Sequence, residues 1–511
     1  MSPEGPETQR MPAGGSPVGS VLVVGGGIGG MQAAIDLAEA GFAVHLVERA
    51  PAIGGTMSQL DKTFPTNDCA MCIMSPKLVE VGRHLNIHIL TNTELDRVEG
   101  EAGRFRVTLR QHPRYVKLDS CTGCGDCAAA CPIHRPDQFN QNLSERRAIF
   151  KLYPQAIPNA FSIQKAGTAP CRDACPIHQR AQGYVALVRE GRYGDAYRTI
   201  LEDNPFPSVC GRVCNHRCEE ACSRGKADAP VNIMGLKRFV ADWAWEQQQR
   251  GTWLAPGGEG ERAAPASSGR RAAIVGAGPA GLTCALDLVR LGHAVTVFEA
   301  LPVAGGMMRV GVPEYRMPYD RLQHEVDDIL GHGVELRLNQ RVDDAPGLLG
   351  QGYDAVFVAV GAHQGVKLPI PGADLPQVAV ATEFLRQVSL GGEGQGEGRG
   401  NADAEPGPED LVRGRRVLVL GGGNVAIDAA MSARRLGAAW VGMACLESRE
   451  QMPAHAWEIR DAEEEGIQVF PARTFKAVTQ NAGAVTGVDC SQVVFRGFID
   501  GRPDFDVLPD T

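Results

Sequence analysis

Twelve of the fifteen cysteines of this 511-residue chain stand in four short-spaced groups: Cys69/Cys72, Cys121/Cys124/Cys127/Cys131, Cys171/Cys175 and Cys210/Cys214/Cys218/Cys222. Thiolates are soft ligands, and groups this dense in a chain without a secretory signal point to metal rather than structural disulfides. The run CTGCGDCAAACP has the spacing C-x2-C-x2-C-x3-C with a trailing proline, which sets thiolates on a [4Fe–4S] cube. Zinc, the competing metal, usually takes ligand pairs farther apart. Where such a run occurs twice, the fourth cysteine of each serves the other cluster. Only one complete run is present, so Cys131 is expected to close its own cube with Cys121, Cys124 and Cys127. Cys284, Cys445 and Cys490 stand alone and read as small buried hydrophobes.

The segment APCRDACPIH shares its C-x3-C-P ending with ACPIH at 130–134, yet it is no full copy of the run. Counting back from Cys171 puts Thr168 and Lys165 where two thiolates belong. Farther on, Cys210, Cys214, Cys218 and Cys222 lie four apart. An unbroken helix, rising about 1.5 Å per residue, would hold the outer two about 18 Å apart, too far for one cube. The chain must therefore bend around one cluster or divide these thiols between clusters, together with Cys171 and Cys175. Cys210 can also be read as a thiol without a metal.

A second chemistry is written in glycine. SVLVVGGGIGGMQAAIDLAEAGFAVHLVER, RAAIVGAGPAGLTCALDLVRLGHAVTVFEA and RVLVLGGGNVAIDAAMSARRLGAAWVGMACLE each predict a strand, a glycine turn, an amphipathic helix and a second strand ending near an acid. This is the dinucleotide-binding βαβ unit three times over. The turn glycine, the glycine that admits the pyrophosphate and the glycine of helix–strand packing are Gly25, Gly27 and Gly30, then Gly276, Gly278 and Gly281. The third set is Gly421, Gly423 and Ala426. Glu48, Glu299 and Glu447 are the acids expected to accept from an adenosine ribose. Ribose 2′-phosphate would favour arginine where Glu447 stands. CLESREQMPAH offers only Arg449, so NADH is expected over NADPH.

The first two units carry a second glycine pair, Gly54/Gly55 in PAIGGTM and Gly305/Gly306 in PVAGGMM. Here the chain resembles the flavin disulfide reductase-like flavoproteins, in which that pair lies close to FAD. The resemblance implies two FAD-type units and one nicotinamide unit. From about residue 165 the order PCRDACPIH, NPFPSVCGRVCNHRCEEAC, PVNIMGLKRF, VGAGPAGL, GGMMRVGVPEYRMP and GGGNVAIDAA resembles the small subunit of bacterial glutamate synthase and the N-terminal part of dihydropyrimidine dehydrogenase. That family implies two [4Fe–4S] clusters in a helical domain, FAD in the next domain and a nicotinamide cofactor in an inserted one. Two departures are visible. The C-x2-C that usually precedes CxxxCP is absent, and Lys237 stands where dihydropyrimidine dehydrogenase completes one cluster with glutamine. The resemblance implies Cys175, Cys214 and Cys218 for one cluster, with Cys171 and Cys222 left to another.

Residues 20 to about 163 resemble a different family, the A-type subunits of heterodisulfide reductase, through VVGGGIGGMQAAIDLAEAG, FPTNDCAMCIMSPKLVEVGRH, the four-cysteine run and QNLSERRAIFKLYPQAIPNAFSI. That family implies FAD, several [4Fe–4S] clusters and electron exchange among nicotinamide or hydrogenase modules, ferredoxin and a disulfide-reducing partner, often with flavin-based bifurcation. Cys69 and Cys72 lie in its CxxC segment. They are candidates for cluster ligation or for a catalytic dithiol beside the flavin.

The expected fold is α/β: tandem Rossmann-like FAD/NAD(P)-binding domains with a ferredoxin-like insertion and a helical iron–sulfur domain. The expected order is a disordered 1–19, the first FAD-type unit at 20–116, the ferredoxin-like segment at 117–164 and the helical iron–sulfur domain at 165–250. A linker at 251–270 leads to the second FAD domain at 271–389, and one at 390–411 to the NAD(P) domain at 412–480. Residues 481–511 start the return to the FAD domain, and the chain reads as the N-terminal part of a longer polypeptide. A net charge of -9 and a pI near 5.8 argue against nucleic acid or an anionic membrane as the main partner. With no signal core or apolar window of about 18 residues, a cytoplasmic place is expected. Three functions fit: the electron-input component of a heterodisulfide reductase-like complex partnered by other subunits or ferredoxin, a donor to a glutamate synthase, or a non-catalytic electron-carrier scaffold.

Overall fold

Strands built from valine, leucine, isoleucine and alanine can be covered on both faces, which is what a parallel sheet between helices requires. The computed structural model describes residues 19–165, 167–252, 265–391, 407–500, 502–509 and 511, and all three expected βαβ units form in it. The expected disordered start and most of both linkers lie outside the described residues. The chain divides into two units, Met1–Pro170 with Cys222–Pro230, and Cys171–Ala221 with Val231–Thr511.

In the first unit, β1 (Ser20–Val24), α1 (Ile28–Glu39) and β2 (Ala43–Glu48) make the βαβ turn, and α2 (Ala70–Arg83) leads to β3 (Ile87–Thr91). The parallel sheet has the order β1-β2-β3. Helix α1 buries Met31, Ala34, Ile35 and Ala38, one stripe at helical spacing, against that sheet. A hairpin of β4 (Thr93–Glu99) and β5 (Arg106–Gln111) follows, then the short α3 (Asp126–Ala130). The ferredoxin-like segment does not end apart from the flavin unit. Tyr153 and Ala156 are buried in the core with Ile53, Met74 and Leu78, and the Tyr153 hydroxyl donates to the Ile53 carbonyl. Arg114 ties the same layers, donating to Thr91 Oγ1 at 2.8 Å and to the carbonyls of Pro51 and Ala160.

The second unit begins with helices: α4 (Pro170–Asp173), α5 (Ala181–Arg189), α6 (Tyr193–Leu201), α7 (Pro207–Val213), α8 (Arg217–Glu220) and α9 (Ile233–Gln249). Its flavin module holds β6 (Arg271–Val275), α10 (Pro279–Arg290), β7 (Ala294–Phe298), α11 (Tyr319–Leu330), β8 (Glu335–Arg337) and β9 (Ala355–Val358). The sheet runs β8-β7-β6-β9, all parallel. The nicotinamide module, entered through α12 (Ala381–Gly391), has β10 (Arg416–Leu420), α13 (Asn424–Arg435), β11 (Trp440–Ala444), α14 (Ala456–Glu464) and β12 (Gln468–Phe470), with sheet order β10-β11-β12. Helix α13 is not amphipathic in place: every residue from Ala426 to Ala433 is buried.

One boundary moves. The strand β13 (Arg473–Asn481), expected within the nicotinamide domain, pairs antiparallel with β14 (Ala484–Ile499), which pairs with β15 (Arg502–Val507). The Val478 N–H donates to Pro371 O at 2.8 Å, so this ribbon leans on the chain that leaves the flavin module.

Candidate functional site

The three glycine turns share one hydrogen-bond pattern. Gly25, Gly276 and Gly421 donate to Val47, Phe298 and Ala444 at 2.7, 2.8 and 2.8 Å, the carbonyls that close each second strand. Helices α1, α10 and α13 start after Gly27, Gly278 and Gly423 in extended backbone, with no side chain capping them. Each helix therefore directs free N–H groups at whatever sits on the turn, the arrangement that binds phosphate. A Cβ on Gly30 would lie 1.9 Å from Gly25 O, and one on Gly281 2.0 Å from Gly276 O. At the third turn Ala426 takes this place, its Cβ 3.4 Å from where a Cβ on Gly421 would be.

The residue after each receiving carbonyl is where a dinucleotide-binding unit carries the acid expected to accept from a ribose. In the first two units it is Glu48 and Glu299, both buried. Gly26 and Ala50 donate to Glu48 at 2.7 and 2.8 Å; Ala277 and Leu301 donate to Glu299 at 2.8 and 2.9 Å. In the third unit the register differs from expectation. Val24 faces Val47 and Val275 faces Phe298, 23 residues on, but Leu420 faces Ala444, 24 residues on. Cys445 thus takes the place of Glu48 and Glu299, with burial pushing its thiol up to about 11. Glu447, two residues later, reaches back with Oε2 3.1 Å from where a Cβ on Gly422 would be. Arg449 is held by both carboxylate oxygens of Glu463.

The second glycine pairs pack on the first. Gly54 and Gly305 donate to Gly26 and Ala277 at 2.7 and 2.8 Å. A Cβ on Gly55 would stand 3.1 Å from Gly27 Cα and one on Gly306 2.7 Å from Gly278 Cα. The third unit has no glycine pair, yet Ala454 donates to Gly422 O at 3.1 Å in the same way. MPAH is the structural counterpart, which a search for glycines passes over.

The helical segment answers the spacing problem of Cys210 to Cys222. Pro207 opens α7, Cys214 leaves the helix in extended backbone, His216 turns in the left-handed region with φ 36°, and α8 resumes for one turn. The bend gathers Cys171, Cys175, Cys214 and Cys218 around a cavity of about 430 Å³ that Gln179, Tyr184 and Lys237 also line. Cys171 joins the set expected of Cys175, Cys214 and Cys218. Cys222 is not among the residues that line the cavity. Cys210 is nearly enclosed, its thiol directed at Asn204 Oδ1, and burial raises its pKa.

The donor set suits an iron–sulfur cube. Four thiols surround a space, and among the described residues no three Cys, His, Asp or Glu side chains converge on one ion position. Gln179 Oε1 is buried there without a partner. Burial raises the Cys218 thiol to about 11, with Cys214 adding and Lys237 opposing, so loading must displace protons.

In the first unit, burial raises the pKa of the Cys127 thiol, with Cys121 and Cys124 adding to the rise. Cys131 ends α3, its thiol turned to the Ile133 carbonyl at 3.6 Å. Cys69 and Cys72 are exposed at the start of α2. The Cys72 N–H donates to Cys69 Sγ at 3.3 Å, and Cys69 has a lowered pKa through its hydrogen bonds with Cys72, while Cys72 is raised. Pro76, inside α2, has no N–H to offer the Cys72 carbonyl.

Two features of the second unit had no sequence signal. Arg316 bonds both oxygens of Asp428 at 2.9 and 2.8 Å and also reaches Glu458, joining the flavin module to α13 and α14. His216, in the Cys214–Cys218 bend, has its ring 5.0 Å from that of Trp457, which stacks on His455 at 4.1 Å and 8°. His455 Nε2 donates to Asn215 Oδ1 at 3.1 Å, and the His455 N–H donates to Asn424 Oδ1 at 3.2 Å. The cysteine bend and the third glycine turn therefore share one set of side chains.

Three family models match successive stretches of the chain. Residues 20–116 match the FAD dependent oxidoreductase family, 139–249 the dihydropyrimidine dehydrogenase domain II with its 4Fe-4S cluster, and 270–496 the pyridine nucleotide-disulphide oxidoreductase family. The NADP(+)-dependent formate dehydrogenase subunit beta of Moorella thermoacetica is 40% identical over 358 residues, covering 66% of this chain and 47% of the relative. The NADPH-Fe(3+) oxidoreductase subunit beta of Geobacter sulfurreducens is 37% identical over 348 residues, again 66% and 47%. An A-type iron–sulfur subunit of the CoB–CoM heterodisulfide reductase of Methanopyrus kandleri is 55% identical over 142 residues, 28% of this chain and 22% of the relative. The chain spans about half the length of the first two relatives. It joins a part like the A-type subunits of heterodisulfide reductase to a part like the dihydropyrimidine dehydrogenase iron–sulfur flavoprotein.

Proposed function

We propose that this fusion of two flavoprotein segments is the electron-input component of a heterodisulfide reductase-like complex, an oxidoreductase moving electrons between NAD(P)H, FAD and [4Fe–4S] clusters. The observation that carries the reading is the common unit of the four-thiol cavity, the Glu299 turn and the Cys445 turn. FAD, when bound, takes two electrons as hydride from a nicotinamide and passes them singly to clusters. The chain's own residues bind and orient. Gly276, Gly278, Gly281, Glu299, Gly305 and Gly306 would hold one FAD, and Gly25, Gly27, Gly30, Glu48, Gly54 and Gly55 a second. Gly421, Gly423, Ala426 and Glu447 would hold the nicotinamide dinucleotide. Cys121, Cys124, Cys127 and Cys131 would hold one cluster, and Cys171, Cys175, Cys214 and Cys218 another. Cys69 and Cys72 are a further pair of ligands or a dithiol.

The carboxylate of Glu447 at Gly422, with Arg449 engaged by Glu463, supports NADH. NADPH is a second reading, favoured by two relatives named for NADP(+) and NADPH. The other members of a redox complex are the proposed partners and the cytoplasm the proposed place; no described helix is long and apolar enough to cross a membrane. Supply of electrons to a glutamate synthase is less favoured, because nothing in that activity needs the heterodisulfide reductase-like segment.

Anaerobic purification with flavin, iron and sulfide counts, followed by titration with NADH and NADPH, tests the reading. Flavin and cluster bleaching by one nicotinamide is expected. A protein without flavin, unbleached by either, would be an electron-carrier scaffold instead.

A further inference from the structure

We propose that Lys237 is a positioning residue for charge at the cluster of Cys171, Cys175, Cys214 and Cys218, raising its reduction potential so that it takes an electron readily from reduced flavin. The inference rests on the reading that these thiols hold a [4Fe–4S] cluster. Lys237 lies on α9, is only 7% exposed, and lines the cavity with all four thiols. Among the described residues no carboxylate makes an ion pair with it.

A buried ammonium without a counter-ion costs several kcal/mol in a protein interior. The fold keeps one on the wall of a space framed by thiols, which makes the anionic contents of that space its partner. A cube with thiolate ligands is anionic in both oxidation levels and more so when reduced. A fixed positive charge therefore stabilises the reduced level more, and net charge and exposure are what set such potentials. One electron enters, no bond forms or breaks, and reduced flavin is the donor. Arg217, the other strong cation of the lining, is exposed, so solvent screens it.

The test is a redox titration followed by electron paramagnetic resonance on the full chain, comparing the wild type with Lys237→Gln, Lys237→Met, Lys237→Arg and Arg217→Gln. Cys214→Ser assigns the signal. The expected result is a shift of that one signal to lower potential in both neutral Lys237 variants at unchanged iron and sulfide content. Lys237→Arg should keep the wild-type potential, and Arg217→Gln should shift it less. An unmoved potential in Lys237→Gln, or an equal fall in Lys237→Arg, overturns the proposal. So does loss of the cluster from both neutral variants with unchanged far-ultraviolet circular dichroism, since Lys237 would then hold the cluster rather than tune it. A wild-type protein with no signal removed by Cys214→Ser would instead refute the underlying cluster assignment.

Discussion

A Cβ at Gly281 would fall 2.0 Å from the Gly276 carbonyl oxygen, a backbone atom that cannot step aside. Gly281→Ala should destabilise the protein by about 2 kcal/mol or more and release FAD. Ala426→Gly should cost only about 1 kcal/mol of helix propensity, because alanine already fits there. Urea unfolding and flavin fluorescence would compare the two. Glu447 makes a sharper case, since its carboxylate stands beside Gly422 from two residues beyond Cys445, which takes the place of Glu48 and Glu299. If it accepts from a ribose, Glu447→Ala should raise the KM for NADH about tenfold, as the loss of one charged hydrogen bond predicts. The KM for NADPH should rise less. An equal change for both would show that Glu447 only shapes the turn.

Pairs of elements are held by buried charges. Arg316 sits between Asp428 on α13 and Glu458 on α14, both carboxylates nearly buried. Helix α13 can be enclosed on every side only because Asp428 has this partner. Burial pushes both carboxyls up, while Arg316 pulls them down. Arg316→Met should cost about 3 kcal/mol and make the nicotinamide module melt or be cleaved before the rest in limited proteolysis. Glu325 on α11 is fully enclosed, and its Oε1 accepts from the Ser208 N–H at the start of α7. Burial raises its pKa from 4.5 to about 8. The folded state thus keeps a proton that the unfolded chain releases above pH 4.5, so stability falls as pH rises from there to about 8 and levels off beyond. Glu325→Gln should flatten that decline, leaving the variant more stable than wild type at about pH 8 to 9 in thermal melts. Parallel profiles for the two proteins would contradict the assignment.

At the scale of the chain, clusters and flavins are separable cargo. Cys175→Ser should remove about four irons per chain, one cube, and leave flavin content unchanged, as metal analysis and absorbance would record. Cys210→Ser should leave both intact, because that thiol is turned to Asn204. Loss of flavin together with iron in Cys175→Ser would mean that the helical segment folds only around its cluster. The two glycine turns with Glu48 and Glu299 carry the same hydrogen bonds in separate units, so the two proposed flavin sites would hold their cofactor alike.

Local chemistry was legible from residues alone. Strand, glycine turn and helix follow from period and from the few residues a tight turn tolerates, so three dinucleotide units and the four-cysteine run needed no coordinates. The bend at Cys214 was legible as a necessity, because a straight helix spreads four thiols too far. What stayed hidden depends on register and distance. The register of β10 against β11 puts Cys445, and not Glu447, in the place that Glu48 and Glu299 take in the other units. The counterpart of the glycine pair in the third unit is Ala454, whose role lies in a backbone N–H that every residue but proline carries. Cys171 joined Cys175, Cys214 and Cys218, and Lys237 turned in among them, through the packing of α4, α7 and α9. Residue types and spacing determine which reactions a chain can perform; only the folded backbone decides which thiol, carboxylate or ammonium arrives at the same place.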